Sequence, residues 1–534
     1  MGAAADRVEG RRGKAGTIGR VDEAVEETRS AWQNFCFKSQ EHGLFIPWQT
    51  PPHQQEVDDV IRTAPGPRSI TLCAGIALAL ILCESRARAE ISLTDPARTG
   101  GWEVTTSGRV DSYLSWIFGN TVNRNGSGAP IDPAMPNGDH YFLVGPQVGI
   151  QGYPVPNGPI GDPVNDTKVN TARVRGGFSS TILAFNIYKQ ISPNLKLTFK
   201  MGLWAGIQNG IVKDARQQND VAAVDWREQY MKLEGPWGAL WAGRLLGLFN
   251  RGGMRLNWYL MHKQGVGHPC NVDSSGTTSC GNTGVGSLHP NRNGQLAYST
   301  PEIAGVQWTV AMLDPSMIPG NLSSNAQWIR TPLPRFETEA TFHRGTTGAD
   351  EVNLFANGMT QVIGMSTEIP AVPENPNDKV HYNLPLLPAD ATRVVFGYGG
   401  GGWARTHGLA AGATYWAGKG LGTANAFGNT AVDNRGTLRF HFGYLAVVNY
   451  RLGDFEIASS YGSSNVKLTD FDRAPPTSQD LFSVVTEVRG IAGLIAYHMG
   501  PVTFSIDGMN IHTAWSHNEV LVTNVVSGGV LGEW

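Results

Sequence analysis

Histidines, cysteines and basic side chains are the residues of this chain whose types could support chemistry or ion binding. The sequence holds 13 histidines and 5 cysteines. A hydrolase built on strands would need a serine and a histidine on one rim, and His441 and His498 fall on candidate inward faces. No serine is fixed beside either one by spacing, and the sequence has no nucleophile elbow, phosphate loop or zinc motif. The histidines are therefore expected to line water, and no metal or cofactor is expected.

An apolar run near residue 70 predicts export. Ile70–Cys83 is preceded by basic residues and followed by Ala87-Arg88-Ala89, the A-x-A pattern that a signal peptidase cleaves. The run is shorter than the about 20 residues that cross a bilayer as a helix. Residues 62–89 are therefore predicted to be a signal peptide, with cleavage before Glu90.

Residues 1–61 precede this signal, although a signal peptide normally starts a chain. They mix charge runs with Pro51-Pro52, which favours an over-extended start or a disordered segment over a cytoplasmic domain. Lipidation at Cys83 is disfavoured because the bulky Leu82 precedes it where a small residue is needed.

Export also decides how the cysteines are interpreted. The first three precede the cleavage point, which leaves Cys270 and Cys280 in residues 90–534. Exported proteins meet an oxidising compartment. The two cysteines are predicted to form a disulfide that closes a small loop, and a pair of free thiols is the alternative.

A period of two runs through residues 102–116, with a tryptophan at each end. Val110 and Leu114 share the apolar parity, whereas Arg109 and Asp111 share the polar one. Strands of soluble domains run about 5 or 6 residues, whereas a tilted membrane strand needs about 9 to 11. The length of the alternation therefore favours a membrane strand, with aromatic residues at both water boundaries.

The same alternation recurs along the chain, with tight turns such as Gly235-Pro236 on one side of the hairpins and long connections on the other. We predict an all-β fold: a transmembrane antiparallel β-barrel of about 16 strands, with 18 as the upper limit, short periplasmic turns and long extracellular loops. Closure would leave no exposed edge. A large soluble β-sandwich or propeller is the alternative.

Composition agrees with this fold. Mean hydropathy is −0.20 and charged residues make up 16%, as expected when apolar side chains occupy every second position. A net charge of −3 excludes a strongly basic nucleic-acid binder.

Several local patterns, in order and spacing, resemble the Gram-negative general porins, which are 16-stranded trimeric diffusion channels. The patterns are Thr106-Ser107-Gly108-Arg109, Ala172-Arg173, Arg227-Glu228-Gln229-Tyr230-Met231-Lys232-Leu233, Trp241-Ala242-Gly243-Arg244, Arg292-Asn293-Gly294-Gln295, Tyr450-Arg451-Leu452-Gly453-Asp454-Phe455 and the terminal Trp534. The resemblance covers nearly all of residues 90–534. It implies a homotrimer in the lipid of the bacterial outer membrane, with Trp534 as the insertion signal for the barrel-assembly machinery.

The resemblance also implies a mechanism. A third loop, about residues 246–290, would fold into the barrel and narrow it, so that small polar solutes and ions diffuse between a basic wall and an acidic loop. By position in the family pattern, the basic wall would comprise Arg109, Arg173, Arg244 and Arg292, and parity supports Arg109. Arg175, Lys196 and Lys200 also fall on inferred lumen faces and would add to it. For each arginine the alternative is an ordinary hydrated lumen residue or a loop contact.

The loop departs from the family pattern in its charge. Its only carboxylate is Asp273, whereas Arg251, Arg255 and Lys263 lie in the same stretch. A passage dominated by cations attracts anions. The expected function is passive diffusion through a water-filled channel with a weak anion preference.

Other functions remain open at this point. A sugar-selective channel would need an aromatic ladder, and Trp204 shares the face of Lys196 and Lys200. An outer-membrane barrel enzyme or an adhesin is a further alternative, and conductance in a bilayer would separate a pore from both.

Overall fold

The computed structural model describes only part of the chain. The described residues are 90–120, 168–177, 181–205, 224–262, 285–318, 330–346, 350–364, 391–422, 431–433, 436–470, 472–473, 485–515 and 520–534. The chain divides into Met1–Cys83 and Glu84–Trp534, and all described residues belong to the second unit. The N-terminal segment, the signal peptide with Ala87 and Ala89, the Cys270–Cys280 pair and Asp273 lie outside the described residues and stay predictions.

Strands dominate the described residues. They are β1 (Ile91–Ser92), β2 (Trp102–Asn120), β3 (Lys168–Arg175), β4 (Thr181–Ser192), β5 (Leu195–Ala205), β6 (Val224–Gly235), β7 (Gly238–Leu246), β8 (Arg292–Ser299), β9 (Val306–Leu313), β10 (Arg335–Gly345), β11 (Glu351–Gly364), β12 (Thr392–Thr406), β13 (Leu409–Lys419), β14 (Phe440–Leu452), β15 (Phe455–Lys467), β16 (Val485–Met499), β17 (Val502–Trp515) and β18 (Val520–Glu533).

The sheet closes on itself. Apart from β3 and β4, which both pair with β2, each strand pairs antiparallel with its sequence neighbours, and β18 returns to β2 with Gly528 opposite Leu114. β3 and β4 pair with successive parts of β2 and so occupy one strand position, and the two-residue β1 is an addition on β2. The result is a closed 16-stranded barrel with one extra strand, which confirms the predicted fold. Within the described residues no helix is long and apolar enough to cross a membrane.

Alternation along β2 sorts side chains between the two faces of the wall. Val110, Leu114 and Trp116 are 51%, 60% and 53% exposed on the outside. Arg109 and Asp111 are buried inside. The predicted parity of this strand is therefore confirmed, and polar residues occupy the interior as in water-filled barrels.

Short turns of two to six residues join the hairpins at one end of the barrel, and most of them have two residues. Gly408, Gly453 and Gly500 adopt positive φ in three of these turns, at 81°, 60° and 59°, a conformation that glycine reaches without steric cost. Longer connections occupy the opposite end, including residues 247–291 between β7 and β8. In membrane barrels the short-turn end is the periplasmic one.

Residues 247–291 are called here the inward loop, and its described parts, 247–262 and 285–291, lie in the barrel interior. The loop contains α1 (Arg251–Asn257) and a π-helical turn (Trp258–His262). Two adjacent glycines make α1 a poor helix by propensity. Packing against β12, β13 and β14 stabilises it instead, because Leu256 and Leu260 are fully buried in one cluster with Leu445.

Candidate pore constriction

Acidic side chains of β10 hold the start of the inward loop. The Phe249 backbone N–H donates to Glu337 Oε2 at 3.0 Å, and Arg251 Nε donates to Glu339 Oε2 at 2.9 Å. Both carboxylates are buried, where an ionised group requires charge-assisted hydrogen bonds. The wall thus supplies the carboxylates, and the loop supplies the N–H groups that they accept from.

Glycines allow α1 to lie close to the wall. Gly252 faces Phe355 of β11 so closely that an added Cβ would overlap the phenyl ring. On β13, a Cβ at Gly412 would lie 2.9 Å from Leu256 Cδ1. These contacts set how far α1 projects into the lumen.

Hydrogen bonds hold two further residues of the loop, Leu260 and Gly286, against β13 and β14. Trp416 Nε1 donates to the carbonyl oxygen of Gly286 at 2.9 Å, and Asn449 Nδ2 donates to that of Leu260 at 2.7 Å. Asn449 also donates to Glu456 Oε1 at 2.7 Å. The described parts of the loop therefore pack on β10–β16, and the lumen continues on the side of β4–β8.

A cavity of about 410 Å³ lies between the inward loop and the inner faces of β4–β7. Among the described residues that line it, the charged ones are Lys200, Arg227, Glu228, Arg251, Arg255 and Arg292. Five cations therefore face one carboxylate. We call this space the constriction cavity.

Among the described residues that line the cavity, Lys200 forms an ion pair with Glu228, with 2.8 Å between Nζ and Oε2. Arg227 reaches the cavity through a β-bulge, because Glu228 pairs with Gly202 and Trp226 pairs with Leu203. The extra residue of a bulge can re-aim a side chain, so two consecutive residues of β6 face inward.

Aromatic rings lie against the arginines. The Cζ atoms of Arg227 and Arg292 are 5.9 Å and 5.6 Å from the ring centroid of Trp204. These distances are within the range of cation–π contacts. Trp204 and Arg227 are both buried, so the wall holds these groups in place before any solute arrives.

Two titratable groups of the loop respond to this charge. Desolvation, followed by the positive charges of Arg292 and Arg227, lowers the pKa of His289 well below its usual 6.5. Its Nε2 lies 3.4 Å from Arg292 Nη1, where a neutral imidazole can accept. The charge of Arg251, followed by desolvation, lowers the pKa of Arg255 from its usual value, although an arginine stays protonated at neutral pH.

A sequence profile described as Gram-negative porin matches residues 69–519, which is most of the chain. The chain belongs to the Gram-negative porin family. It is accordingly an outer-membrane channel, and its family and fold are those of a channel rather than an enzyme. No curated protein matches the sequence.

A solved channel structure agrees with the fold of this porin. This porin is similar to the outer membrane channel DcaP of Acinetobacter baumannii, with 11% identity, a TM-score of 0.53, and coverage of 82% of this chain and 98% of that one. It also matches an anion-selective porin from Comamonas acidovorans, with 9% identity, a TM-score of 0.46, and coverage of 81% and 100%.

Some basic residues predicted from the sequence meet at the constriction of the porin. Lys200 and Arg292 line the cavity. Arg109 borders it, since its Cζ lies 5.2 Å from the ring of Trp258, a lining residue of the inward loop, and its Nη2 lies 3.3 Å from Asp111. Lys196 lies nearer the short-turn end.

Three other predicted residues are not among the described residues that line the cavity. Arg244 shares the parity of Leu240 on β7, which is 49% exposed on the outer face, and not that of the lining residue Trp241. Arg173 and Arg175 lie opposite Ser115 and Tyr113 of β2; their side chains are outside the described part of the structure. A constriction role for these three residues stays untested.

Sequence reasoning missed several lining residues of the porin. Parity along β6 and β7 would have found Glu228, Tyr230 and Trp241, which alternate with outward residues. Arg227 had no comparable signal, because the bulge that turns it inward breaks the period of two.

The first and last described residues of the barrel, Glu90 and Trp534, both form hydrogen bonds to β2. Gly108 and Trp534 exchange backbone hydrogen bonds of 2.9 Å and 3.1 Å. An added Cβ at Gly108 would lie 2.5 Å from the Trp534 ring, so this position needs glycine. The carboxylate of Glu90 accepts a hydrogen bond from Thr105 Oγ1 at 2.8 Å.

Proposed function

We propose that this porin passes small hydrophilic solutes and ions by passive diffusion and weakly prefers anions. The observation that carries the preference is the charge of the constriction cavity, where five cations face one carboxylate among the described lining residues. Fixed charges in a narrow passage with low-dielectric walls concentrate ions of the opposite sign. Glu337 and Glu339, the carboxylates that bind the start of the loop, are buried behind it.

Family membership supports a homotrimer in outer-membrane lipid, delivered by a cleaved signal peptide and assembled by the barrel-assembly machinery. Chemical cross-linking of purified porin in detergent should give a trimer as the largest product. A monomer that persists at every cross-linker concentration would contradict this part of the proposal.

The anion preference is tested by the reversal potential. Porin purified from outer membranes and reconstituted in a planar bilayer under a KCl gradient should reverse toward the chloride equilibrium potential. The preference should be clearest near 0.1 M salt, where the Debye length is about 10 Å, and fade near 1 M, where it is about 3 Å. Reversal toward the potassium potential at low salt would refute the proposal.

A variant pair locates the responsible charge. Arg255→Gln removes a lumen-exposed cation of the loop and should lower the chloride-to-potassium permeability ratio. Arg244→Gln, on the outward parity of β7, is the matched control and should leave the ratio unchanged. Equal effects from the two variants would mean that the cavity does not set the selectivity.

A further inference from the structure

Cations and aromatic rings are paired along the inner faces of β4–β7. Near the short-turn end, Lys196 Nζ lies 4.7 Å from the ring centroid of Tyr188. Farther along, Lys232 Nζ lies 4.4 Å from the ring centroid of Trp241, and this lysine also pairs with Glu234. The pairing therefore continues beyond the constriction cavity.

At the cavity itself, two cations share one ring. Two guanidinium groups, those of Arg227 and Arg292, approach the single ring of Trp204. Trp204 is 7% exposed and Arg227 is 4% exposed, so their side chains are held by the wall. We call the three rings, Tyr188, Trp241 and Trp204, together with their cations the cation–aromatic strip.

The chemistry of the strip discriminates between classes of anion. Chloride or phosphate can use only the cations, and a neutral sugar cannot use the charge. An aromatic carboxylate uses both, because its carboxylate accepts hydrogen bonds from a guanidinium while its ring stacks on an indole or on the guanidinium plane. A cavity of about 410 Å³ falls in the size range of small-molecule sites.

We propose that the cation–aromatic strip gives this porin a saturable site for small aromatic carboxylates, which it prefers to aliphatic carboxylates of equal charge. The inference rests on the anion-preferring channel proposed above and names the solute class that the same constriction favours. Guanidinium groups supply the charge recognition, and Trp204 and Trp241 supply the ring recognition.

The test compares two blockers of the chloride current through the purified porin in a planar bilayer. Benzoate and cyclohexanecarboxylate carry the same charge and have similar size, but only benzoate has an aromatic ring. Benzoate should block the current saturably, with a half-blocking concentration about threefold to tenfold below that of cyclohexanecarboxylate, as expected for one aromatic contact.

Variants assign the effect to the strip. Trp204→Leu should bring the two half-blocking concentrations together, because the ring contact that favours benzoate is lost. Trp116→Leu replaces a tryptophan on the outer face and should keep the wild-type difference. If Trp204→Leu does not reach the membrane, Trp241→Leu should reduce the difference in the same direction.

The outcomes separate the two proposals. Equal half-blocking concentrations in wild-type porin, with chloride preference intact, would overturn the aromatic-carboxylate site and leave the proposed channel function standing. A porin that does not conduct, or that prefers potassium, would overturn the channel function itself.

Discussion

His289 lies beside Arg292 and Arg227, and its protonation decides how much charge the loop brings to the constriction. An ordinary histidine gains its proton as the pH falls from about 8 to about 5. Desolvation and the two arginines lower the pKa of His289 well below 6.5. It therefore takes up its proton at lower pH than an ordinary histidine does, and while neutral it accepts a hydrogen bond from Arg292 without adding a cation.

Acidification should reveal this neutral state. His289→Gln keeps an acceptor but removes the titratable group, so wild type and variant should show the same change in reversal potential between about pH 8 and pH 6.5, the usual pKa of a histidine. A greater gain of anion preference on acidification in wild type than in His289→Gln would mean that His289 takes up a proton.

For single residues, the sequence predicted only part of the set of side chains that face the lumen. Parity along a strand correctly placed Lys200 and Arg109 inside, because alternation is a property of the backbone. Parity could not place Arg227, because a β-bulge turns its side chain inward. It could not place Arg292 either, because Arg292 is the first residue of β8 and its side chain does not follow the alternation of that strand. Such local departures depend on tertiary contacts.

The inward loop is the element that determines the width of the pore. Its helix α1 contains Gly252 and Gly253, and no helix was predicted there from the sequence. The structure explains the glycines, because Gly252 packs against the Phe355 ring and Gly253 lies close to Asn250 and Thr414. Close approach to the wall, not helix propensity, selects these residues.

A larger side chain at position 252 should narrow the pore. In Gly252→Ala the new methyl group would overlap Phe355, so α1 must move away from β11 and into the lumen. Single-channel conductance should fall, and the double variant Gly252→Ala/Phe355→Ala should recover most of it.

Gly528→Ala is the control for this change, since its nearest heavy atom would be 3.8 Å away, and its conductance should equal that of wild type. Unchanged conductance in Gly252→Ala would show that this contact does not set the position of α1.

For the whole molecule, closure depends on the pairing of β18 with β2. The terminal Trp534 adds backbone hydrogen bonds to Gly108 and places its ring over that glycine. The closed sheet was predictable from alternation and turn spacing, because lipid does not tolerate an open edge. The exact strand number was not, since β1 and the division between β3 and β4 have no clear sequence signal.

Loss of the terminal ring should weaken barrel assembly. Trp534→Ala should lower the fraction of porin that migrates as a heat-modifiable band on a gel, whereas Trp534→Phe, which keeps an aromatic ring, should retain most of it. Equal fractions in Trp534→Ala and wild type would argue against a role for this residue in insertion.

Chemical access to neighbouring residues of β6 tests the account most directly. Tyr230 lines the constriction cavity, whereas Gln229 has the opposite parity and is exposed. A negatively charged methanethiosulfonate added to the conducting porin should sharply reduce chloride current in Tyr230→Cys and leave it unchanged in Gln229→Cys and wild type. Equal responses of the two cysteine variants, or no response from Tyr230→Cys, would contradict a conducting pathway between the inward loop and this wall.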